Sequence, residues 1–291
     1  MFYIDAHCDS VSSHRQLDFK RLRRAFPRGG LQFMACFALN DHYTRINCQL
    51  DALDALGVQT VTRHSGLAAV RAKGGFGMLR AIEGGECLDG DVRRVDEFRR
   101  RGVRCLGLTW NNANALSGGA KTPDVGLTDF GREVIDRLEN RGMLTDLAHI
   151  SRAGFWDALE VARRPPIVSH ACAAALCAHP RNLDDAQLRA LAAKGGVIGI
   201  ALYPDFLSED CHADIDRVAA HIIHVYRVAG RESVGLGTDF DGIDTLPDGI
   251  NDVSDMPKLY DALRACGMKS GDADLVMGGN FYRVIAAQMS A

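Results

Sequence analysis

Short apolar runs rich in β-branched, aromatic and small residues alternate along this chain with longer segments whose apolar positions recur at three- and four-residue intervals. The runs predict strands at about residues 2–7, 31–38, 77–82, 103–109, 143–149, 166–170, 196–202 and 234–240. The longer segments predict amphipathic helices. Val134, Ile135 and Leu138 share one side of 130–140, and Leu188, Leu191 and Ala192 share one side of 185–193. Several strands follow a Gly placed after a basic residue, as in Arg101-Gly102-Val103, Arg141-Gly142-Met143 and Lys194-Gly195-Gly196, which is helix C-cap chemistry. Strand and helix in steady alternation, with eight strands in all, predict an α/β fold in which a parallel sheet closes into a (β/α)8 TIM barrel. No linker, repeat or low-complexity tract interrupts the series, so residues 1–291 are expected to form a single catalytic domain. The long polar segment from Asn111 to Thr128 follows a strand and is expected to form a lid or a substrate wall.

Composition narrows the function classes. A formal charge of -3 provides no basic field for nucleic acid, and the local run Lys20-Arg21-Leu22-Arg23-Arg24 is expected to be a solvated helix face. No stretch of ~18 apolar residues offers a membrane span. The first residues lead straight to Asp5 and His7 without a signal-peptide pattern, so a cytoplasmic location is expected. Nine cysteines without a C-x-x-C pair argue against a disulfide framework or a structural zinc knot; most should be reduced and buried.

The chemistry sits where the predicted strands end. Asp5-Ala-His7-Cys8-Asp9, Ile82-Glu83-Gly84-Gly85, Asp146-Leu-Ala-His149 and Ser169-His170 together supply three imidazoles and two carboxylates as metal ligands. That donor mixture suits Zn²⁺, and a carboxylate can bridge two ions ~3.5–4 Å apart, which makes Glu83 the natural bridge. A water shared by the ions would have its pKa lowered towards ~7, giving a bridging hydroxide as nucleophile. His7 and Asp9, two apart, should face the same way with Cys8 reversed. Asp5, of the same parity, should point into the barrel one layer lower as a hydrogen-bonding residue. Asp239, in Gly237-Thr-Asp239-Phe-Asp241-Gly242 at the end of the last strand, is the acid/base candidate, whereas Asp241 should turn the backbone. His221 and His224, spaced i and i+3, suggest an exposed helix face; His14, His42, His64 and His212 lack a supporting pattern. There is no Gly-x-Ser-x-Gly elbow for a serine nucleophile.

These motifs, with Gly126-Leu-Thr-Asp-Phe-Gly131, Arg181-Asn182 and Gly195-Gly196-Val197, resemble the zinc-dependent membrane (renal) dipeptidase family of amidohydrolase-type barrels over nearly the whole chain, in a soluble, bacterial-like form. The resemblance implies hydrolysis of dipeptides, L-L and also L-D. His7 and Asp9 would hold one zinc and His149 and His170 the other, with Glu83 bridging. Asp239 would manage the proton and Arg181 the substrate's C-terminal carboxylate, for which a planar guanidinium fork is well shaped. Tyr203 resembles a substrate-facing aromatic. The family's mammalian enzymes carry His after Leu-Thr, where this chain reads Leu108-Thr109-Trp110-Asn111, so the Trp110 indole or the Asn111 amide becomes the candidate oxyanion donor. The expected partner is a small dipeptide, with no nucleic acid and no membrane, and the resemblance is compatible with a homodimer. The alternative is another binuclear-metal amidohydrolase acting on N-acyl amino acids, lactams or lactones.

Overall fold

The computed structural model describes residues 1–11 and 15–289, so His14 lies outside the described residues. Its strands are β1 (Tyr3–Asp5), β2 (Gly30–Cys36), β3 (Gln59–Thr60), β4 (Phe76–Ile82), β5 (Val103–Gly107), β6 (Leu144–Asp146), β7 (Ile167–Ala171), β8 (Val197–Ile200) and β9 (Val234–Leu236). The order β2-β1-β9-β8-β7-β6-β5-β4 returns from β4 to β2, and every pairing is parallel, which closes the predicted (β/α)8 barrel. The two-residue β3 was not anticipated; it lies against Gly77 and Met78 of β4, ahead of the first β4–β5 pairing at Arg80.

The barrel interior is built from apolar residues of seven of the eight barrel strands. Ile4, Leu31, Leu79, Cys105, Leu144, Ile167 and Val197 form a single buried cluster with Phe281, Val284 and Ile285 of the C-terminal helix Asn280–Met289. That helix packs at the N-terminal ends of the strands, leaving the opposite rim for chemistry. The alternate residues, among them Met34, Leu106, Val168, Ile198 and Leu236, join a second cluster under the surrounding helices with Phe98, Val134, Leu138, Leu188 and Ile222. Period-two alternation in the strands thus feeds two cores.

The register corrects two sequence expectations. Asp5 pairs with Gln32 beside the Ile4–Leu31 pair, and since Ile4 and Leu31 fill the interior, Asp5 faces the other side. Regular pairing stops at Asp5, so parity does not carry on to His7. Its hydrogen-bonding role is as expected: Oδ1 accepts from the Thr238 N–H at 2.8 Å and the His7 N–H at 3.3 Å, and Oδ2 accepts from Thr238 Oγ1 at 2.6 Å and Gln32 Nε2 at 2.9 Å. One carboxylate therefore ties β1, β2 and the chain leaving β9. His221 is the second correction. It is fully buried, accepting from the Ala173 N–H at 3.1 Å through Nδ1 and pairing Nε2 with the Leu207 carbonyl at 2.9 Å. Only His224 is partly exposed, and it pairs with Asp185 at 2.7 Å. The nine cysteines are all free, and Cys48, Cys211 and Cys266 are exposed.

Replacing Asp5 by Ala strands the Thr238 and Gln32 donors in a buried seam, so Asp5→Ala should lower unfolding stability by about 3 kcal/mol in urea titrations.

Candidate active site

Seven strand ends on the open rim deliver the functional side chains. His7 and Asp9 follow β1, Glu83 follows β4, Trp110 and Asn111 follow β5, His149 follows β6, His170 lies in β7 with Arg181 beyond it, Tyr203 follows β8 and Asp239 follows β9. They line one cavity of about 740 Å³, except for His7, which is buried beneath it. The backbone is specially bent at two of these positions: His149 at φ 65° and Asp239 at φ 64° are left-handed non-glycine residues. Gly242 leaves essential room, since a Cβ there would stand 2.2 Å from Asp9 Oδ2 and 2.4 Å from Asp239 Oδ1.

The nitrogen and oxygen donors converge. His149 Nε2 lies 2.7 Å and His170 Nε2 3.5 Å from Glu83 Oε1, and the two Nε2 atoms are 2.8 Å apart. His7 Nε2 lies 3.4 Å from Asp9 Oδ2, 3.8 Å from Glu83 Oε1 and 3.7 Å from Asp239 Oδ1. The His149 Nδ1–H donates to Asn111 Oδ1 at 2.9 Å, and His170 Nδ1 pairs with Ser169 Oγ at 2.9 Å, so both rings turn Nε2 towards Glu83. His7 Nε2 is buried and has no hydrogen-bond partner among the described residues. An orphaned imidazole nitrogen, two facing Nε2 atoms and three carboxylates fit a divalent cation, and groupings of His7, Glu83 and His170 and of His7, Asp9 and Asp239 are each close enough to share one.

The electrostatics reflect that crowding. Burial disfavours the His7 cation, yet Glu83, Asp9 and Asp239 more than reverse this and raise its pKa to about 10. Burial raises Glu83 to about 8 and Asp239 to about 7, against the lowering effect of His7. Burial, then the charges of Arg181 and His7, push His149 and His170 well below the ordinary histidine value.

Arg181 is 4% exposed, and burial lowers its pKa to about 10 despite Glu83 and Asp239. Its Nη2 donates to the His170 carbonyl at 3.3 Å, its Nε has no partner among the described residues, and no carboxylate there pairs with it. Tyr203 packs edge-on against Phe206, and the neighbouring Asp205 carboxylate pushes its hydroxyl up to about 12. Trp110 lies between Phe37 and His149 and lines the cavity. Asn111 lines the cavity, and its side-chain oxygen orients His149. The segment after Asn111 does form a wall, through Lys121. Sequence reading missed Ser169, dismissed as a nucleophile but paired with His170, and His179, whose Nδ1 accepts from the Arg181 N–H at 3.2 Å. Asp241 accepts from the backbone of Arg15 and Gln16 as a turn residue. His42, His64 and His212 do not line the cavity.

A family model described as membrane dipeptidase, peptidase family M19, matches residues 3–291, and the chain belongs to that family, a metal-dependent dipeptidase hydrolase. It is 34% identical over 305 residues to an uncharacterized dipeptidase of Schizosaccharomyces pombe, covering 95% of this chain and 72% of that one. It is 37% identical over 219 residues to an uncharacterized Klebsiella pneumoniae protein encoded in the pqqA 5' region, covering 72% and 80% of the two chains. A solved metallo peptidase of family M19, dipeptidase AC, has the same fold at TM-score 0.92 and 22% identity, covering 100% of this chain and 99% of its own. A Rhodobacter sphaeroides metallo peptidase liganded with a phosphinate mimic of L-Ala-D-Ala matches at TM-score 0.91 and 22% identity, covering 98% of each chain. Among the described residues no helix is long and apolar enough to cross a membrane.

Two outcomes follow from this geometry. Gly242→Ala should displace Asp9 or Asp239 and weaken divalent-metal binding, read by isothermal titration, while leaving the circular dichroism spectrum unchanged. Glu83 at about 8 and Asp239 at about 7 hold protons that they would release near their ordinary values when unfolded. Their contribution is present at low pH and lost as pH rises through 7 and 8. The melting temperature of metal-free protein should therefore fall from about pH 4, where these carboxyls titrate in the unfolded chain, to about pH 8. Saturating zinc should reverse the slope, because the ion binds the deprotonated carboxylates.

Proposed function

We propose that this chain hydrolyses dipeptides, of L-L and L-D configuration, with two zinc ions held by His7 and Asp9 and by His149 and His170, Glu83 serving both. The observation that carries this reading is the convergence of those side chains with Asp239 at one cavity of a family M19 barrel, His7 lying just beneath it and Arg181, which has no carboxylate partner among the described residues, lining it. When bound, such ions lower the pKa of water towards ~7 and polarise a carbonyl. The protein's own groups perform the remaining tasks.

Arg181 takes the substrate's terminal carboxylate, since its guanidinium is buried and has no carboxylate partner among the described residues. A planar fork clamps that group and so fixes the peptide bond relative to the ligand cluster. Asp239, whose Oδ1 lies 3.7 Å from His7 Nε2, takes the proton of the attacking water and delivers it to the leaving amine as the C–N bond breaks. A carboxylic acid with a pKa near neutrality is suited to both directions of transfer. Asn111 and Ser169 keep the His149 and His170 rings oriented. The N-acyl, lactam or lactone alternative is less well matched, because Asp9, Asp239 and Asp244 line the same cavity and favour a substrate with a free ammonium group.

A panel of L-L and L-D dipeptides, assayed beside their N-acetyl forms and after chelation, tests the reading: cleavage should be chelator-sensitive and confined to the free dipeptides. Cleavage of acetylated compounds alone would transfer the assignment to the acyl class. Asp239→Asn should retain zinc by metal analysis while kcat falls about 100-fold or more. Arg181→Met should act chiefly on KM, raising it about 30-fold.

A further inference from the structure

We infer that Lys121 recognises the side chain of the substrate's C-terminal residue, which makes dipeptides ending in an acidic residue the preferred class. This rests on the reading above, in which Arg181 takes the terminal carboxylate. The backbone around Lys121 is strapped to the site. The Ala120 N–H donates to the His149 carbonyl at 2.7 Å, the Lys121 N–H donates to the Asn111 carbonyl at 2.9 Å, and Gly119 pairs with Ile150. The stem of Lys121 therefore starts beside a ligand-bearing strand end and not from a free loop.

From that anchor its side chain lines the same cavity as His179 and Arg181. Among the described residues its ammonium has no ion pair or hydrogen bond. Two cations on one wall exceed what a single terminal carboxylate can neutralise. There is also room. A second chamber of about 380 Å³ shares His149, His179 and Arg181 with the main cavity and is walled by Gly119, Ala120 and Thr122. The substrate's C-terminal side chain branches from the carbon that bears the Arg181-bound carboxylate, so it starts in the part of the cavity that Arg181 and Lys121 line together. A point charge on a flexible four-carbon stem accommodates Asp and Glu of either hand, and because Lys121 is exposed at the cavity wall the pair has the modest strength of a solvent-screened one.

The test compares kcat/KM of zinc-loaded protein for Ala-Asp and Ala-Glu with the isosteric Ala-Asn and Ala-Gln, each with an L or D second residue. The expected acid-over-amide ratio is about fivefold, carried by KM. Lys121→Met should bring the ratio to about one, and Lys121→Arg should restore it. A ratio near one in the parent protein, with dipeptides still cleaved, overturns the Lys121 assignment and leaves the dipeptidase reading intact. Equal losses on acids and amides in Lys121→Met also overturn it, because Lys121 would then hold the main-chain carboxylate. Absence of chelator-sensitive cleavage of every dipeptide overturns the underlying reading and this inference together.

Discussion

Three imidazoles and three carboxylates share a pocket in which most of them are hidden from water, and the rest of the rim is organised around that crowding. Glu83 Oε1 alone has His7, His149 and His170 nitrogens within 3.8 Å. Burying ionised groups at such distances is unfavourable unless opposite charge is supplied, and here the raised carboxyl pKa values are the signature of that unmet demand. A divalent cation supplies it. The barrel contributes rigidity, so the ligand atoms are held together by strand ends instead of being gathered from a mobile loop.

That rigidity has identifiable sources close behind the ligands. Asp5 ties β1, β2 and Thr238, locking the chain just before His7 and just before Asp239. Asn111 and Ser169 occupy the far nitrogens of two ligand rings, which fixes where the near ones point. Left-handed backbone at His149 and Asp239 aims their side chains in directions that a regular strand end would not reach. Gly242 keeps the space between two carboxylates clear. Each device is local, but together they act on residues contributed by β1, β6, β7 and β9.

The cavity is also electrically graded. Asp9, Asp239 and Asp244 enter from the β1 and β9 ends, and Arg181 and Lys121 enter from the segments after β7 and β5. A dipeptide with a free ammonium at one end and a carboxylate at the other can lie along that gradient in one direction only, which presents its peptide bond to the ligand cluster.

Much of this was legible in the chain itself. Strand periodicity, helped in places by Gly after basic helix ends, marked all eight barrel strands, and His, Asp and Glu at their C-terminal ends marked side chains that the fold brings together on one rim, because both signals are local and repeat. What depended on contacts between distant segments was not legible. The short β3 exists only because β4 presents an unpaired edge. Asp5 changed face because β1 ends earlier than its apolar run, and His221 is buried because Ala173 and Leu207 happen to meet it. That Asn111 orients His149 shows only once the fold brings the imidazole to its side-chain oxygen. Residue types along the chain determined the fold and the donor set; the partner of each polar atom was decided only by tertiary structure, since a hydrogen bond is satisfied by whatever lies within about 3 Å in space, however far away in sequence.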